Sequence, residues 1–175
     1  MRTSIWFSRF ALVLISLVGV CFGCAAAGSL SGDAPDGSVV WLSGGKAPAP
    51  VTAEMRNTDR SFQPDSLVVP VGSSVRFPND DPYYHSIYSG GAIDSFDIGY
   101  YGNGPGKLVS FDHSGVVIVR CHIHRTMRAV IFVVDGPSAR ASKGTFTIDN
   151  VPTGNYTLHI ANTEGDDQTS PVVVR

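Results

Sequence analysis

From residue 38 onward, the chain consists of short runs of β-branched and aromatic residues separated by Gly, Pro, Asn and Asp. Such runs predict strands, and no stretch of ten residues shows the apolar repeat of an amphipathic helix. Many short strands without intervening helices predict an all-β fold, either a sandwich or a barrel. The predicted strands lie at residues 38–43, 51–56, 66–71, 73–78, 85–89, 107–111, 116–121, 129–134, 144–148, 155–161 and 171–174.

Two stretches between these runs are predicted to be irregular. Residues 90–106, GGAIDSFDIGYYGNGPG, are rich in glycine and aromatic residues, and we expect a long structured loop there. Residues 80–84, DDPYY, precede a predicted strand; Asp80, Asp81, Tyr83 and Tyr84 could line the route to a functional site, but a solvated turn is favoured.

The N-terminal residues are typical of a secretory signal. Arg2 and Arg9 form a positive region before an apolar stretch at residues 10–22, and the run AAA at 25–27 offers a cleavage site before Gly28. The apolar stretch is short for a transmembrane helix. We therefore predict a signal peptide at residues 1–27 and export to the periplasm or the extracellular space. An uncleaved anchor and lipidation of Cys24 remain as alternatives.

Cleavage at this position would leave Cys121 as the sole cysteine, with 11 basic residues against 15 acidic ones and a net charge of −4. A slightly acidic chain without a Lys/Arg run argues against nucleic acid as a partner. One thiol cannot form an internal disulfide in an oxidising compartment. Metal ligation is one reason for such a thiol to stay unpaired.

The stretch CHIHRTM, residues 121–127, gathers sulfur and imidazole donors in one loop. Alternation along the preceding strand directs Cys121 to the interior and Arg120 to solvent. The following strand, AVIFVV, is a continuous apolar run, which predicts burial on both faces. The loop therefore joins two core strands and can direct Cys121, His124 and Met127 towards one point. His122 should leave the strand on the opposite side.

A thiolate, an imidazole and a thioether are a soft donor set that suits copper. Such a site also needs a second imidazole, and His85 is the candidate. A thiolate, two imidazoles and a weak axial thioether form a blue-copper site. Structural zinc sites usually need paired cysteines, and Cys–His catalysis needs an orienting third group that the sequence does not offer. Met127 could alternatively be a core residue. His113 is expected in a surface turn, and His159 as an ordinary strand residue.

Residues 61–87 and 111–134 resemble the cupredoxin family. The resemblance rests on a pattern in the first stretch, on His85, and on the downstream C-x-x-H-x-x-M. It implies a Greek-key β-sandwich and one type 1 copper ion bound by His85, Cys121, His124 and Met127. It also implies a one-electron carrier rather than an enzyme, with unidentified donor and acceptor proteins. The pattern in the first stretch comprises Phe62, Pro64, Leu67, Val69, Gly72, Val75, Phe77, Asn79 and Asp81.

The flanking segments carry a second resemblance. GTFTIDNVPTGNYTLHIA, residues 144–161, is similar to a carboxypeptidase-regulatory-like β module, and residues 38–50 could supply its first strand. This layout resembles exported cupredoxin proteins of the methylamine-utilisation type. We predict an N-terminal β segment at 28–57, a copper domain at 58–136 and a C-terminal β module at 137–175.

Two other functions remain open on the sequence. One is a copper-trafficking or storage protein, which would bind Cu(I) without redox cycling. The other is a surface binding module in which copper is structural.

Overall fold

The computed structural model describes residues 27–175, and every regular element in that range is a β-strand. The predicted signal peptide, apart from Ala27, lies outside the described residues. Residues 27–175 contain no helix long and apolar enough to cross a membrane. The strands are β1 Ala27–Asp33, β2 Val39–Ser43, β3 Thr52–Glu54, β4 Arg56–Thr58, β5 Ser61–Gln63, β6 Ser66–Pro70, β7 Ser73–Asn79, β8 His85–Ser89, β9 Phe96–Tyr101, β10 Gly104–Phe111, β11 Gly115–Cys121, β12 Arg128–Val134, β13 Ser138–Arg140, β14 Thr145–Pro152, β15 Gly154–Ala161 and β16 Asp167–Val174.

Two five-stranded sheets form the central sandwich. One has the order β10-β7-β4-β5 with β3 paired to β7, and the other has the order β6-β12-β11-β8-β9. Inward-facing residues of both sheets, among them Val75, Phe77, Val119 and Ile131, share one buried apolar cluster. The predicted all-β sandwich is therefore confirmed.

Residues 90–106 correct one sequence expectation. The predicted loop is largely strand, since it contains β9 and the start of β10. β9 pairs antiparallel with β8, with a register irregularity between Ser86 and Tyr88. The glycines of residues 90–106 obscured the strand pattern. Gly99, Gly104 and Gly106 all have positive φ, the backbone region that glycine enters at little cost.

Strand β12 is buried on both faces, as its continuous apolar sequence predicted. Ala129, Ile131 and Val133 face the core of the central sandwich. Val130 and Phe132, on the other face, pack with a second cluster that includes Trp41 of β2. β12 is thus the strand on which two hydrophobic cores meet.

That second cluster connects β12 to sheets built from the two ends of the described chain. A four-stranded sheet has the order β13-β2-β15-β16, and a two-stranded sheet pairs β1 with β14. β2 pairs antiparallel with β15, so segments before and after the central sandwich lie side by side. A third apolar cluster, which includes Leu30, Leu42 and Phe146, packs these two sheets together. The domain boundaries drawn from the sequence stay predictions.

A polar network centred on His159 reinforces this junction. In β15, His159 stacks on Trp41 at 4.3 Å between ring centroids, and its Nδ1 lies 2.9 Å from Asp167 Oδ2. Its Nε2 lies 3.1 Å from Ser43 Oγ, and that hydroxyl donates to Asp135 Oδ1 at 2.6 Å. Asp135 directly follows β12. The network therefore connects the end of β12 to β2, β15 and β16.

Gly136 lets the chain leave β12 in close contact with β2. The Pro137 carbonyl accepts a hydrogen bond from the Leu42 N–H at 3.1 Å. A Cβ on Gly136 would lie 1.8 Å from the Leu42 carbonyl oxygen. Only glycine fits this approach without movement of the backbone.

We expect Gly136→Ala to lower the free energy of unfolding by about 3 kcal/mol, because the new methyl group would push β2 away from the linker. Urea denaturation of the metal-free protein measures this loss. Gly90→Ala is the matched control, since a Cβ there meets no atom within 4 Å and φ is not positive. It should change stability by less than about 0.5 kcal/mol. Equal midpoints for the two variants would contradict the packing argument.

Candidate metal centre

Cys121 ends β11 and points into the central sandwich, as alternation predicted. Its side chain belongs to the same buried cluster as Val117 and Val119 and is 3% exposed, whereas its neighbour Arg120 is exposed. In residues 27–175 it is the only cysteine, and it is unpaired. A thiol on a core strand is held by the sheet on which it lies.

His85 begins β8, the neighbour of β11, and is fully buried. The ladder sets Cys121 opposite Ile87, two positions along β8 from His85. Within this frame, His85 Nδ1 lies 3.8 Å from Cys121 Sγ. Residues 36 positions apart in the sequence thus place a nitrogen and a sulfur donor side by side.

His124 completes the cluster from the loop between β11 and β12. Its Nδ1 lies 3.3 Å from Nδ1 of His85, and the two ring centroids are 4.8 Å apart. One donor atom from each of His85, Cys121 and His124 falls within 4.8 Å of the others. His124 is only partly buried, and its outer side meets the edge of Tyr83 at 6.4 Å between ring centroids.

Met127, the fourth predicted ligand, lies at the end of the same loop. Its N–H donates to the His124 carbonyl at 2.9 Å, which closes a turn. Its side chain is buried in the apolar cluster that contains Cys121. Axial ligation by the Met127 thioether stays a prediction.

The other loop histidine faces away from the cluster. His122 stacks on Tyr88 at 3.8 Å between ring centroids, and its Nε2 lies 3.0 Å from Asp97 Oδ2. His113 lies in an exposed turn, where its Nδ1 is 2.8 Å from Asp94 Oδ1. Both positions match the expectations from the sequence.

Asp81 has a role beside His85 that the sequence did not assign to it, although it belongs to the pattern that resembles the cupredoxin family. The solvated turn predicted for residues 80–84 is wrong at this position, because Asp81 is only 4% exposed. Its carboxylate accepts hydrogen bonds from the Asp59 and Arg60 backbone N–H groups at 2.7 and 2.9 Å. Its Oδ2 also lies 2.9 Å from His85 Nε2. An acidic residue four positions before a candidate ligand was the available signal, because metal-binding histidines commonly donate to a carboxylate.

These contacts fix the charge of Asp81 and the tautomer of His85. Burial alone would raise the pKa of Asp81, but the hydrogen bonds from Arg60, His85 and Asp59 outweigh it and lower that pKa. The ionised carboxylate accepts a hydrogen bond from the Nε2–H of His85. The Nδ1 lone pair of His85 therefore faces Cys121 and His124, as a metal ligand requires.

His124 is also kept in the form that binds metal. Burial lowers its pKa, and the proximity of the His85 ring and of the Arg60 guanidinium lowers it further. Arg60 is held nearby, since its guanidinium lies 4.4 Å from the centre of the Tyr83 ring. A neutral imidazole offers its lone pair to a metal, whereas an imidazolium cannot.

The donor set fits one type 1 copper ion. Two imidazole nitrogens and one sulfur converge in a largely buried place, and a thioether lies on the same short loop. This combination is the ligand chemistry of blue copper. The carboxylate behind His85 supplies the outer hydrogen bond that orients a metal-binding imidazole.

Comparison with known proteins gives structural matches only, since no protein-family model and no curated protein sequence matches the chain. The chain is similar to a copper-containing nitrite reductase from Thermus scotoductus, with 27% identity, a TM-score of 0.45, and coverage of 51% of this chain and 24% of that chain. It is also similar to a purple cupredoxin from Nitrosopumilus maritimus, with 24% identity, a TM-score of 0.43, and coverage of 46% and 98%. A reduced amicyanin variant matches with 15% identity, a TM-score of 0.45, and coverage of 54% and 97%. The chain thus spans about a quarter of the nitrite reductase and nearly all of the other two proteins.

We expect Asp81→Asn to lower the unfolding free energy of the metal-free protein by about 2 kcal/mol, because a charged acceptor of three hydrogen bonds is lost. The amide NH₂ would also face groups that are themselves donors. Thermal or urea unfolding measures the change. Asp80→Asn is the control at the neighbouring position, since Asp80 is exposed and bonded to Arg56. It should leave stability nearly unchanged, and equal losses in both variants would contradict the assigned network.

Proposed function

We propose that this chain is an exported type 1 copper protein that carries one electron at a time between two other proteins and is not an enzyme. The observation that carries the proposal is the convergence of donor atoms from His85, Cys121 and His124 within 4.8 Å. These residues come from two adjacent strands and the loop that follows one of them. A preformed set of soft and imidazole donors favours copper.

The residues around the donors favour electron transfer over metal delivery. Cys121 is held by a core strand, His124 by a closed turn, and His85 by the Asp81 carboxylate. When bound, a copper ion would supply one-electron chemistry by cycling between Cu(I) and Cu(II). Because each donor is held from behind, the protein would present nearly the same ligand arrangement to both oxidation states. A trafficking protein must instead release its metal to an acceptor.

The fourth ligand in this proposal is Met127. Its burial beside the core keeps water from the thioether, and a weak axial sulfur is one means by which blue-copper sites set their reduction potential. In this proposal His122 is not a ligand, because its ring stacks on Tyr88 and its Nε2 lies 3.0 Å from Asp97 Oδ2.

Export and the flanking sheets are also part of the proposal. Export rests on the sequence of residues 1–27. We assign the outer sheets to a carboxypeptidase-regulatory-like module that frames the copper domain, as in proteins of the methylamine-utilisation type. The antiparallel pairing of β2 with β15 supports this assignment, because it joins the segments on either side of the central sandwich.

We expect the protein loaded with Cu(II) to show an intense visible band from thiolate-to-copper charge transfer and a narrow copper hyperfine splitting, both reversibly lost on reduction. Absorption and EPR spectroscopy measure these features. Cys121→Ser should abolish both, because the thiolate is the source of the band. His122→Gln is the matched control and should keep both, since His122 faces away from the donors.

Two results would contradict the proposed electron-carrier function. A colourless Cu(II) protein, or one that binds Cu(I) alone and transfers it to a chelator, would favour trafficking or storage. A copper ion that cannot be reduced and reoxidised would favour a structural role.

A further inference from the structure

A cleft lies on the solvent side of the strand that ends in Cys121. It has a volume of about 330 Å³ and is lined by Tyr88, Arg120, Cys121, His122 and Arg125. It does not coincide with the surface at which His124 meets Tyr83. We call it the Arg120–Arg125 cleft. A molecule bound in this cleft would lie beside His122, which directly follows Cys121 in the chain.

One wall of the cleft is ordered in advance. The Tyr88 and His122 rings stack in nearly parallel planes, with an interplanar angle of 9°. Asp97 holds His122 from behind and also accepts a hydrogen bond from the Gly99 N–H at 2.8 Å. Arg120 lies opposite Tyr88 in the β11–β8 ladder. A partner that binds here therefore meets aromatic groups that lose little conformational freedom.

The cleft carries a net positive charge from its two arginines. Within residues 27–175, Arg120 and Arg125 form no ion pair and no side-chain hydrogen bond, whereas Arg56 and Arg128 lie beside acidic groups. None of the residues that line the cleft carries a carboxylate, and Asp97, which contacts His122 from outside the lining, is also bonded to the Gly99 N–H. Guanidinium groups match the geometry of carboxylates.

This local charge is opposite to that of the rest of the chain. Residues 27–175 contain 11 basic and 15 acidic side chains. A positive cleft on an acidic molecule orients an approaching acidic protein towards that cleft and repels it from other faces.

We propose that the Arg120–Arg125 cleft is the docking site for a carboxylate-bearing face of a redox partner protein. This inference rests on the proposed electron-carrier function and assigns its partner surface. Asp or Glu side chains of the partner would pair with Arg120 and Arg125, while its surface packs on the Tyr88–His122 stack. The partner would then lie against the Cys121–His122 peptide.

The test is an NMR titration of the metal-free, ¹⁵N-labelled protein with a capped hexaglutamate peptide. Saturable shifts should centre on the amides of Tyr88, Arg120 and His122. The variant Arg120→Gln/Arg125→Gln should bind roughly tenfold more weakly, because two charge-assisted pairs are lost. The variant Lys46→Gln/Lys143→Gln removes the same charge from exposed positions elsewhere and should bind as the parent does.

Several outcomes would overturn the docking site. These are equal weakening in both double variants, shifts centred on another face, or equal binding of a capped hexalysine peptide. Shifts of the same size with inorganic phosphate at equal concentration would indicate a small-anion site instead. Because the titration uses metal-free protein, its result is independent of the copper spectrum. A type 1 copper spectrum without peptide binding would support the electron-carrier function and contradict only the proposed docking site.

Discussion

The two-sided burial of β12 is the constraint on which the rest of the architecture depends. One face of the strand contributes Ala129, Ile131 and Val133 to the central sandwich, and the other packs against Trp41 and the outer sheets. β12 begins one residue after Met127, so the ligand loop is anchored by a strand that can neither shift nor twist without disturbing two cores. A loop mounted in this way presents its donors in one arrangement.

The second constraint is electrostatic. Asp81 is a buried carboxylate whose charge is stabilised by two backbone N–H groups and by His85. Those N–H groups belong to Asp59 and Arg60, both with positive φ, in the turn between β4 and β5. The same turn places Arg60 over Tyr83, which meets His124. One tight turn thus supports both imidazoles, one through hydrogen bonds and the other through packing and charge.

Local pattern was enough to predict part of this arrangement. Alternation placed Cys121 inside and Arg120 outside, and the unbroken apolar run of β12 predicted two buried faces. The buried role of Asp81 was missed because it depends on a turn about twenty residues earlier, and no local pattern reports that contact. The strand β9 was missed because it lies in a glycine-rich stretch that is typical of a loop, while its pairing with β8 is set by tertiary structure.

The central claim is that His85, Cys121 and His124 hold one copper ion in the same arrangement in both oxidation states. X-ray absorption at the copper edge, recorded on the Cu(I) and Cu(II) forms, tests it most directly. We expect two nitrogen ligands and one short sulfur ligand in both forms, with closely similar distances and at most one longer sulfur from Met127. A two-coordinate Cu(I) form, or the loss of a nitrogen ligand on reduction, would contradict the account.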